Sequence, residues 1–251
     1  MSKDHCSRQN FFSGLLVKIT TAEGHVIGKV YEILTKISYD PHGIFVKLET
    51  GESGNAIEII QTDSEKIYNK LIADFLFDLE HDETPLVEFK ETFAYPVDPE
   101  IPLDEVTKEH KKLCRKLICK AIASLANAYG GTLYIGIQDK TKIIMGLERD
   151  YKLLDTGDQD SDGLNKKMKS YIPSLFKRGN KIYEAVHINF INYQNKDICV
   201  IKVDPFKFPL VLTYENKEYF YVRQNDSSNP YPDLNSFLDY WTEHIKRNTT
   251  F

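Results

Sequence analysis

The sequence predicts an α+β protein in which a small N-terminal antiparallel β-barrel precedes a mixed-sheet domain with packed helices. Residues 12–60 are short alternating runs separated by glycine-containing turns, a pattern typical of a small barrel. Residues 62–80 carry a continuous apolar stripe at helical spacing and predict a bridging helix. Beyond it, helices precede a run of strands, which indicates a mixed sheet. We therefore expect a barrel at 1–61, the bridging helix at 62–80 and a second domain at 81–251.

The composition is that of an ordinary globular protein, with 41% hydrophobic and 27% charged residues. No apolar run approaches the length of a membrane span and the first ten residues are polar, so we expect no membrane segment and no signal peptide. The four cysteines lack metal-ligand spacing and are interpreted as reduced or buried thiols of a cytoplasmic protein. No G-x-x-x-x-G-K-[ST] loop occurs, which argues against ATP as a ligand.

The charge is unevenly distributed along the chain. Residues 1–82 carry 8 Lys and Arg against 13 Asp and Glu, a net charge of −5, whereas residues 83–251 carry 24 against 24. The acidic first part argues against a protein that binds nucleic acid over its whole surface. A local basic patch on the neutral second part is compatible with this charge balance, because contacts to a phosphate backbone need only a handful of cations.

The stretch SLANAYGGTLYIGIQD, from Ser124 to Asp139, is central to the predicted second domain. It predicts the end of a helix, a turn at Gly130 and Gly131, and a buried strand from Leu133 to Ile137. Asp139 follows where that strand ends. In isolation such an aspartate is most often a turn residue, so its role depends on which other side chains lie near it.

Upstream of this stretch, one glutamate precedes a predicted strand and a second lies within it. Val87 and Phe89 alternate with polar residues, and Pro85 stiffens the approach to the strand. If the chain bends there, Glu83 and Glu88 point toward one cleft. The alternative is a solvated acidic loop.

A predicted helix from Asp104 to Ala128 has a basic side. One interpretation is a solvated face, which is the usual role of a charge run. The other is a ridge that contacts phosphates. The cations are Lys108, Lys111, Lys112, Arg115, Lys116 and Lys120.

Two resemblances to known families follow from these segments. GLLVKITTAEGHVIGKVYEIL and DPHGIFVKLETGESGNAIEII are similar to the small YwbE-type bacterial domain. VEFKETF, AIASLANAYGGTLYIGIQDK, MGLE and YFYVRQNDSS, in that order and spacing, resemble the Schlafen AlbA-type domain. The second resemblance spans Glu83 to about Pro230 and is specific because it depends on four blocks together.

The YwbE likeness implies a barrel that contacts RNA or partner proteins. Because residues 1–82 of this chain are acidic, docking to a partner protein or a role as a spacer between domains is at least as well supported as contact with RNA. The Schlafen likeness implies nucleic-acid handling. Bacterial and archaeal members are generally described as DNA-binding regulators, whereas vertebrate members include metal-dependent endoribonucleases that act on tRNA and rRNA.

The Schlafen resemblance also implies roles for individual residues. Glu83, Glu88 and Asp139 match the catalytic carboxylates that would hold Mg²⁺ or Mn²⁺, although Gln138 stands where some members have the aspartate. Lys90 would neutralise developing charge. Arg223 is a candidate phosphate contact, with an internal ion pair as the alternative.

Two functions remain open from the sequence. The first is a nucleic-acid-binding protein that cuts structured RNA such as tRNA with the three carboxylates and a metal ion. The second is a noncatalytic DNA-binding regulator or scaffold. In either case we expect RNA or DNA as the partner, no membrane, and a homodimer that builds a two-lobed groove from single-lobed chains.

Overall fold

The computed structural model describes residues 4–60, 63–81, 84–95, 101–154, 157–225 and 227–248. The chain folds into two compact units, Met1–Asp74 and Phe75–Phe251. Helix α1 (Asp63–Leu79) contains the boundary between them. Within the described ranges, no helix is both long and apolar enough to cross a membrane.

The first unit contains a closed antiparallel barrel, as the sequence predicts. Its strands are β1 (Leu16–Thr21), β2 (Gly24–Ile33), β3 (Phe45–Leu48) and β4 (Ser53–Ile59), and β1 pairs with both β2 and β4. The alternating residues Val17, Ile19, Val46 and Leu48 point inward and are buried, because successive side chains on a strand face opposite sides.

The second unit is built on a four-stranded mixed sheet, which confirms the predicted α+β class. The strands are β5 (Val87–Lys90), β6 (Gly131–Ile135), β7 (Val186–Tyr193) and β8 (Lys196–Val203), in the spatial order β5-β6-β8-β7. β5 runs parallel to β6, and the other two pairings are antiparallel.

Three helices contribute to the core against this sheet: α2 (Lys108–Ala126), α3 (Glu148–Lys152) and α4 (Ser161–Ser174). α2 begins four residues later than predicted, because Thr107 caps it. The Thr107 hydroxyl accepts the His110 N–H at 3.2 Å, and the His110 ring accepts the Thr107 N–H at 3.3 Å. The last turn of α2 is buried through Ile122, Leu125 and Ala126.

Two hairpins and a final helix complete the second unit. The hairpins are β9 (Leu212–Tyr214) with β10 (Lys217–Tyr219), and β11 (Tyr221–Gln224) with β12 (Ser227–Pro230). Helix α5 (Leu234–Asn248) packs Phe237 and Trp241 against Val222 of β11.

The glycine pair joins α2 to β6 in a place where no other residue fits. Gly130 and Gly131 have φ angles of +76° and +144°. A Cβ on Gly130 would lie 2.5 Å from the carbonyl oxygen of Val203, and one on Gly131 would lie 2.3 Å from that of Leu86. The turn therefore brings β6 directly beside the chain that enters β5. β6 itself starts and ends two residues earlier than predicted, so Asp139 lies in the turn beyond it.

Asn127, the residue that follows the last turn of α2, holds this region in place through its side chain. Its side-chain amide donates to the carbonyls of Leu210 and Tyr221, each at 2.9 Å, and its side-chain oxygen accepts the Leu210 N–H at 2.7 Å. Since Asn127 is fully buried, these bonds fix β11 to the end of α2.

The four cysteines are free and buried. Burial raises the pKa of the Cys114 thiol to about 11, and it also raises the pKa values of Cys119 and Cys199. These thiols are consequently poor nucleophiles in the folded protein.

A buried carboxylate, Asp150 of α3, organises the chain that leaves β5. It accepts the Thr92 hydroxyl at 2.8 Å and the backbone N–H groups of Ala94 and Phe93 at 2.6 and 3.2 Å. Burial raises the pKa of Asp150, while these hydrogen bonds act in the opposite direction by favouring the carboxylate.

We expect Asp150→Asn to lower the free energy of unfolding by about 2 kcal/mol or more, because the new amide group would face N–H donors and leave them unpaired. Urea denaturation of the purified chain measures this. Asp158→Asn, at an exposed aspartate of the same unit, should change stability by no more than about 0.5 kcal/mol. Equal stability of Asp150→Asn and the unmodified protein would contradict the structural role of the carboxylate.

Candidate nucleic-acid interface and acidic site

Strand β5 sets the positions of two charged residues. Phe89 stacks on Tyr134 of β6 with the ring centroids 5.4 Å apart. Because side chains alternate along a strand, Glu88 and Lys90 share the other side of β5. Both lie near the strand's exit, where β6 also ends.

Glu88 is a buried carboxylate whose charge is compensated inside the protein. The Arg223 Nη1 group of β11 hydrogen-bonds to Glu88 Oε2. Arg223 is itself buried, and its Nη2 donates to the carbonyls of Val87 at 2.7 Å and Thr84 at 3.0 Å. Arg223 therefore forms the internal ion pair that the sequence left as its alternative role, and its buried guanidinium is engaged with Glu88 and two backbone carbonyls.

The ammonium of Lys90 lies between two carboxylates. Its Nζ is 2.5 Å from Glu88 Oε1 and 3.4 Å from Asp139 Oδ2. It also donates to the carbonyl oxygen of Phe89 at 2.8 Å. We call Glu88, Lys90, Asp139 and Arg223 the acid–lysine cluster.

Asp139 supplies the second carboxylate of this cluster, and the side chain of the neighbouring Gln138 does not take part in it. The Gln138 side-chain oxygen instead accepts a hydrogen bond from the Thr141 hydroxyl within the turn. The side chain of Asp139 is 48% exposed, so the cluster is open to solvent on that side. The third predicted carboxylate, Glu83, lies outside the residues that the structure describes.

The side chains as they stand do not fit a divalent metal ion. Both oxygens of Glu88 are already bonded to cationic groups, one to Arg223 and the other to Lys90. Among the described residues, His, Cys, Asp and Glu form no group of three or more that could hold a metal ion. A metal at Glu88 and Asp139 would have to displace the Lys90 ammonium.

Helix α2 presents its lysines beside a row of tyrosines. Lys112 Nζ and Lys116 Nζ lie 5.0 and 4.0 Å from the ring centroid of Tyr214. These lysines and Lys120 recur every four residues, so they lie on one side of the helix. Further cation–π contacts join Lys116 to Tyr219 at 5.1 Å and Lys120 to Tyr221 at 5.3 Å. We call these six residues the lysine–tyrosine surface.

The other predicted cations of α2 have different positions. Lys108 is exposed, and Lys111 donates to the carbonyl of Leu153 at 3.0 Å. Arg115 is buried, with its guanidinium 5.4 Å from the ring of Phe93 and 4.9 Å from that of Tyr171. The expectation that Arg115 lies on the exposed basic side is therefore wrong, because its planar cation packs into an aromatic pocket.

The lysine–tyrosine surface adjoins the acid–lysine cluster. Burial lowers the pKa of Lys120, and the positive charges of Lys90 and Lys116 lower it further. The Lys120 ammonium is thus repelled by two neighbouring cations. A bound anion would relieve that repulsion, which makes the place chemically suited to a phosphate.

Sequence reasoning missed the three tyrosines. A signal was present, since Tyr219 and Tyr221 are two residues apart and would share a face of an extended chain. Their distance along the chain from the lysines hid the contact. It also missed Asp150, which stands two residues beyond the MGLE block.

The family model described as "Schlafen, AlbA_2" matches residues 83–232. The chain belongs to this family, as the four sequence blocks predicted.

Two solved structures are similar to the chain. One is the crystal structure of the DIP2311 protein from Corynebacterium diphtheriae, with 21% identity and a TM-score of 0.45, covering 70% of this chain and 32% of that one. The other is the solution NMR structure of the N-terminal domain of a RecG-related protein from Nitrosomonas europaea. It has 16% identity and a TM-score of 0.38, and the match covers 64% of this chain and 92% of that one. The chain therefore spans about a third of the length of the Corynebacterium protein.

We expect Arg223→Met to lower the free energy of unfolding by about 3 kcal/mol, because it leaves Glu88 buried with less compensation. In a Glu88→Gln background the same change should cost at least about 1 kcal/mol less, since no buried carboxylate is left behind. Denaturant unfolding of the two single variants and the double variant gives this coupling. If the losses of unfolding free energy in the two single variants added up to the loss in the double variant, the Glu88–Arg223 ion pair would not stabilise the fold.

Proposed function

We propose that the protein binds nucleic acid by contacting the phosphate backbone with the lysine–tyrosine surface. The observation that carries this proposal is the set of three lysines, Lys112, Lys116 and Lys120, aligned along α2 over Tyr214, Tyr219 and Tyr221. Membership of the Schlafen AlbA_2 family agrees with the same function.

The charge distribution supports a local interface. α2 carries six cationic residues and one acidic residue within its 19 positions, and all of the cations except the buried Arg115 are at least partly exposed, although residues 83–251 have no net charge. A concentrated patch of this kind attracts a polyanion while the remainder of the unit does not. Such contacts position a nucleic acid without reading its sequence, so the proposed binding has no strong sequence preference.

The tyrosines contribute in two ways. Their rings hold the lysine side chains over them, which reduces the conformational freedom that the lysines lose when they bind a phosphate. Burial raises the pKa of Tyr214 and Tyr221, so these rings add no negative charge beside the lysines even in mildly alkaline solution.

The finer hypothesis is cleavage of structured RNA with Glu83, Glu88 and Asp139 as metal ligands. One observation favours it: Glu88 and Asp139 come from distant parts of the chain and both contact one ammonium group. The same contact opposes it, because Lys90 takes the position that Mg²⁺ or Mn²⁺ would need. Binding without cleavage is thus the function that the geometry supports best.

We expect the triple variant Lys112→Gln, Lys116→Gln, Lys120→Gln to bind both duplex DNA and structured RNA more weakly. Each lost phosphate contact should reduce the slope of log affinity against log salt by roughly 1. Fluorescence anisotropy with labelled DNA and RNA between about 50 and 200 mM salt measures the slope.

The triple variant Lys166→Gln, Lys169→Gln, Lys207→Gln is the matched control, because these are three exposed lysines of the same unit that lie outside the proposed surface. It removes the same charge from the same unit and should leave the slope nearly unchanged. If the α2 triple variant and this control gave equal affinities and slopes, the proposed surface would be excluded.

We also propose that the protein forms a homodimer through α2. Leu113 and Leu117, one turn apart on this helix, are 53% and 40% exposed and lie beside the lysines. Exposed apolar patches rimmed by polar residues mark protein contacts, and we place the centre of the dimer contact at these two leucines. We expect Leu113→Glu with Leu117→Glu to convert a dimer into a monomer in sedimentation velocity experiments. A monomer of unmodified protein at tens of micromolar would exclude this dimer.

A further inference from the structure

The ammonium of Lys90 is enclosed by oxygen atoms. Glu88 Oε1, the carbonyl oxygen of Phe89 and Asp139 Oδ2 lie 2.5, 2.8 and 3.4 Å from its Nζ. A lysine ammonium has three N–H donors, and the three oxygens supply one acceptor for each. Two carboxylates and a carbonyl are also the kind of oxygen ligand that a hard divalent cation selects.

The charges of the acid–lysine cluster balance. Glu88 and Asp139 contribute two negative charges, and Arg223 and Lys90 contribute two positive ones. Arg223 is fixed in place, because it is buried and donates to two backbone carbonyls. The Lys90 side chain is 24% exposed and is the one cation of the cluster that faces the half-exposed Asp139. Removing Lys90 would leave a net negative charge on the cluster.

We propose that Lys90 is the resident cation of this carboxylate pair and takes the place of a divalent metal ion. With the lysine present, Glu88 and Asp139 do not bind Mg²⁺ or Mn²⁺. Without it, the same oxygens bind a metal ion, with water completing the coordination. The inference depends on the acid–lysine cluster and holds whether or not the lysine–tyrosine surface binds nucleic acid.

The structure also determines the choice of variant. Methionine has nearly the length of lysine and no charge, so Lys90→Met removes the ammonium while filling much of its space. Lys140→Met is the matched control, because Lys140 is an exposed lysine adjacent to Asp139 in the chain. This control tests whether the loss of any positive charge near Asp139 is enough to raise the affinity for Mn²⁺. The double variant Lys90→Met, Asp139→Asn tests whether the metal binds at the vacated oxygens.

The experiment counts bound Mn²⁺ by the loss of the electron paramagnetic resonance signal of the free ion, with circular dichroism to verify folding. We expect Lys90→Met to bind one Mn²⁺ at least about tenfold more tightly than the unmodified protein or Lys140→Met, a difference of ~1.4 kcal/mol. The additional Asp139→Asn change should abolish the gain.

Two results would overturn the proposal. One is binding of Mn²⁺ by the unmodified protein as tightly as by Lys90→Met, with loss of that binding in Asp139→Asn. The other is a folded Lys90→Met protein that gains no Mn²⁺ affinity. Should Lys90→Met fail to fold, the Mn²⁺ affinity of Lys90→Gln replaces it as the test. The comparison of the unmodified protein with Asp139→Asn then shows whether the unmodified protein already binds Mn²⁺ at these oxygens.

Discussion

The second unit depends on the burial of one carboxylate, that of Glu88. An ionised side chain that is removed from water is costly unless charge and hydrogen bonds compensate it. Here Arg223 compensates it from β11 and Lys90 from β5 itself. Since Arg223 also donates to the carbonyls of Thr84 and Val87, one guanidinium attaches the β11 hairpin to the chain that enters β5. The ion pair is thus both an electrostatic requirement and a connection between elements.

The four family blocks of the sequence can each be assigned a physical task around this ion pair. VEFK supplies the buried acid and the bridging lysine. The glycine pair lets β6 approach the chain at Leu86 more closely than a side chain would permit. In the MGLE block, the amides of Met145 and Gly146 donate to the carbonyl of Gly136, which closes the loop beyond β6. The last block supplies Arg223 and also Ser228, whose hydroxyl lies 2.7 Å from that of Ser124 on α2.

The basic residues of α2 differ in role according to what packs beneath them. Arg115 is enclosed by Phe93 and Tyr171 and belongs to the core, whereas Lys112, Lys116 and Lys120 are partly exposed and lie over tyrosines. A charge run in a sequence therefore mixes structural and surface cations. The proposed interface is the part of that run in which like charges repel and an anion would stabilise them.

The sequence by itself determined the elements whose causes are local. Alternation of side chains predicted the barrel strands and β5, and the helical stripe and glycine pair predicted α1, α2 and the turn before β6, because neighbours along the chain set these patterns. Only the tertiary structure decided how the charges pair. Glu88 and Arg223 are 135 residues apart, and the contact of Asp139, and not Gln138, with Lys90 depends on how the turn after β6 projects its side chains. The packing of strands that are distant along the chain determines which acidic side chain pairs with which cation, and a local sequence pattern cannot predict it.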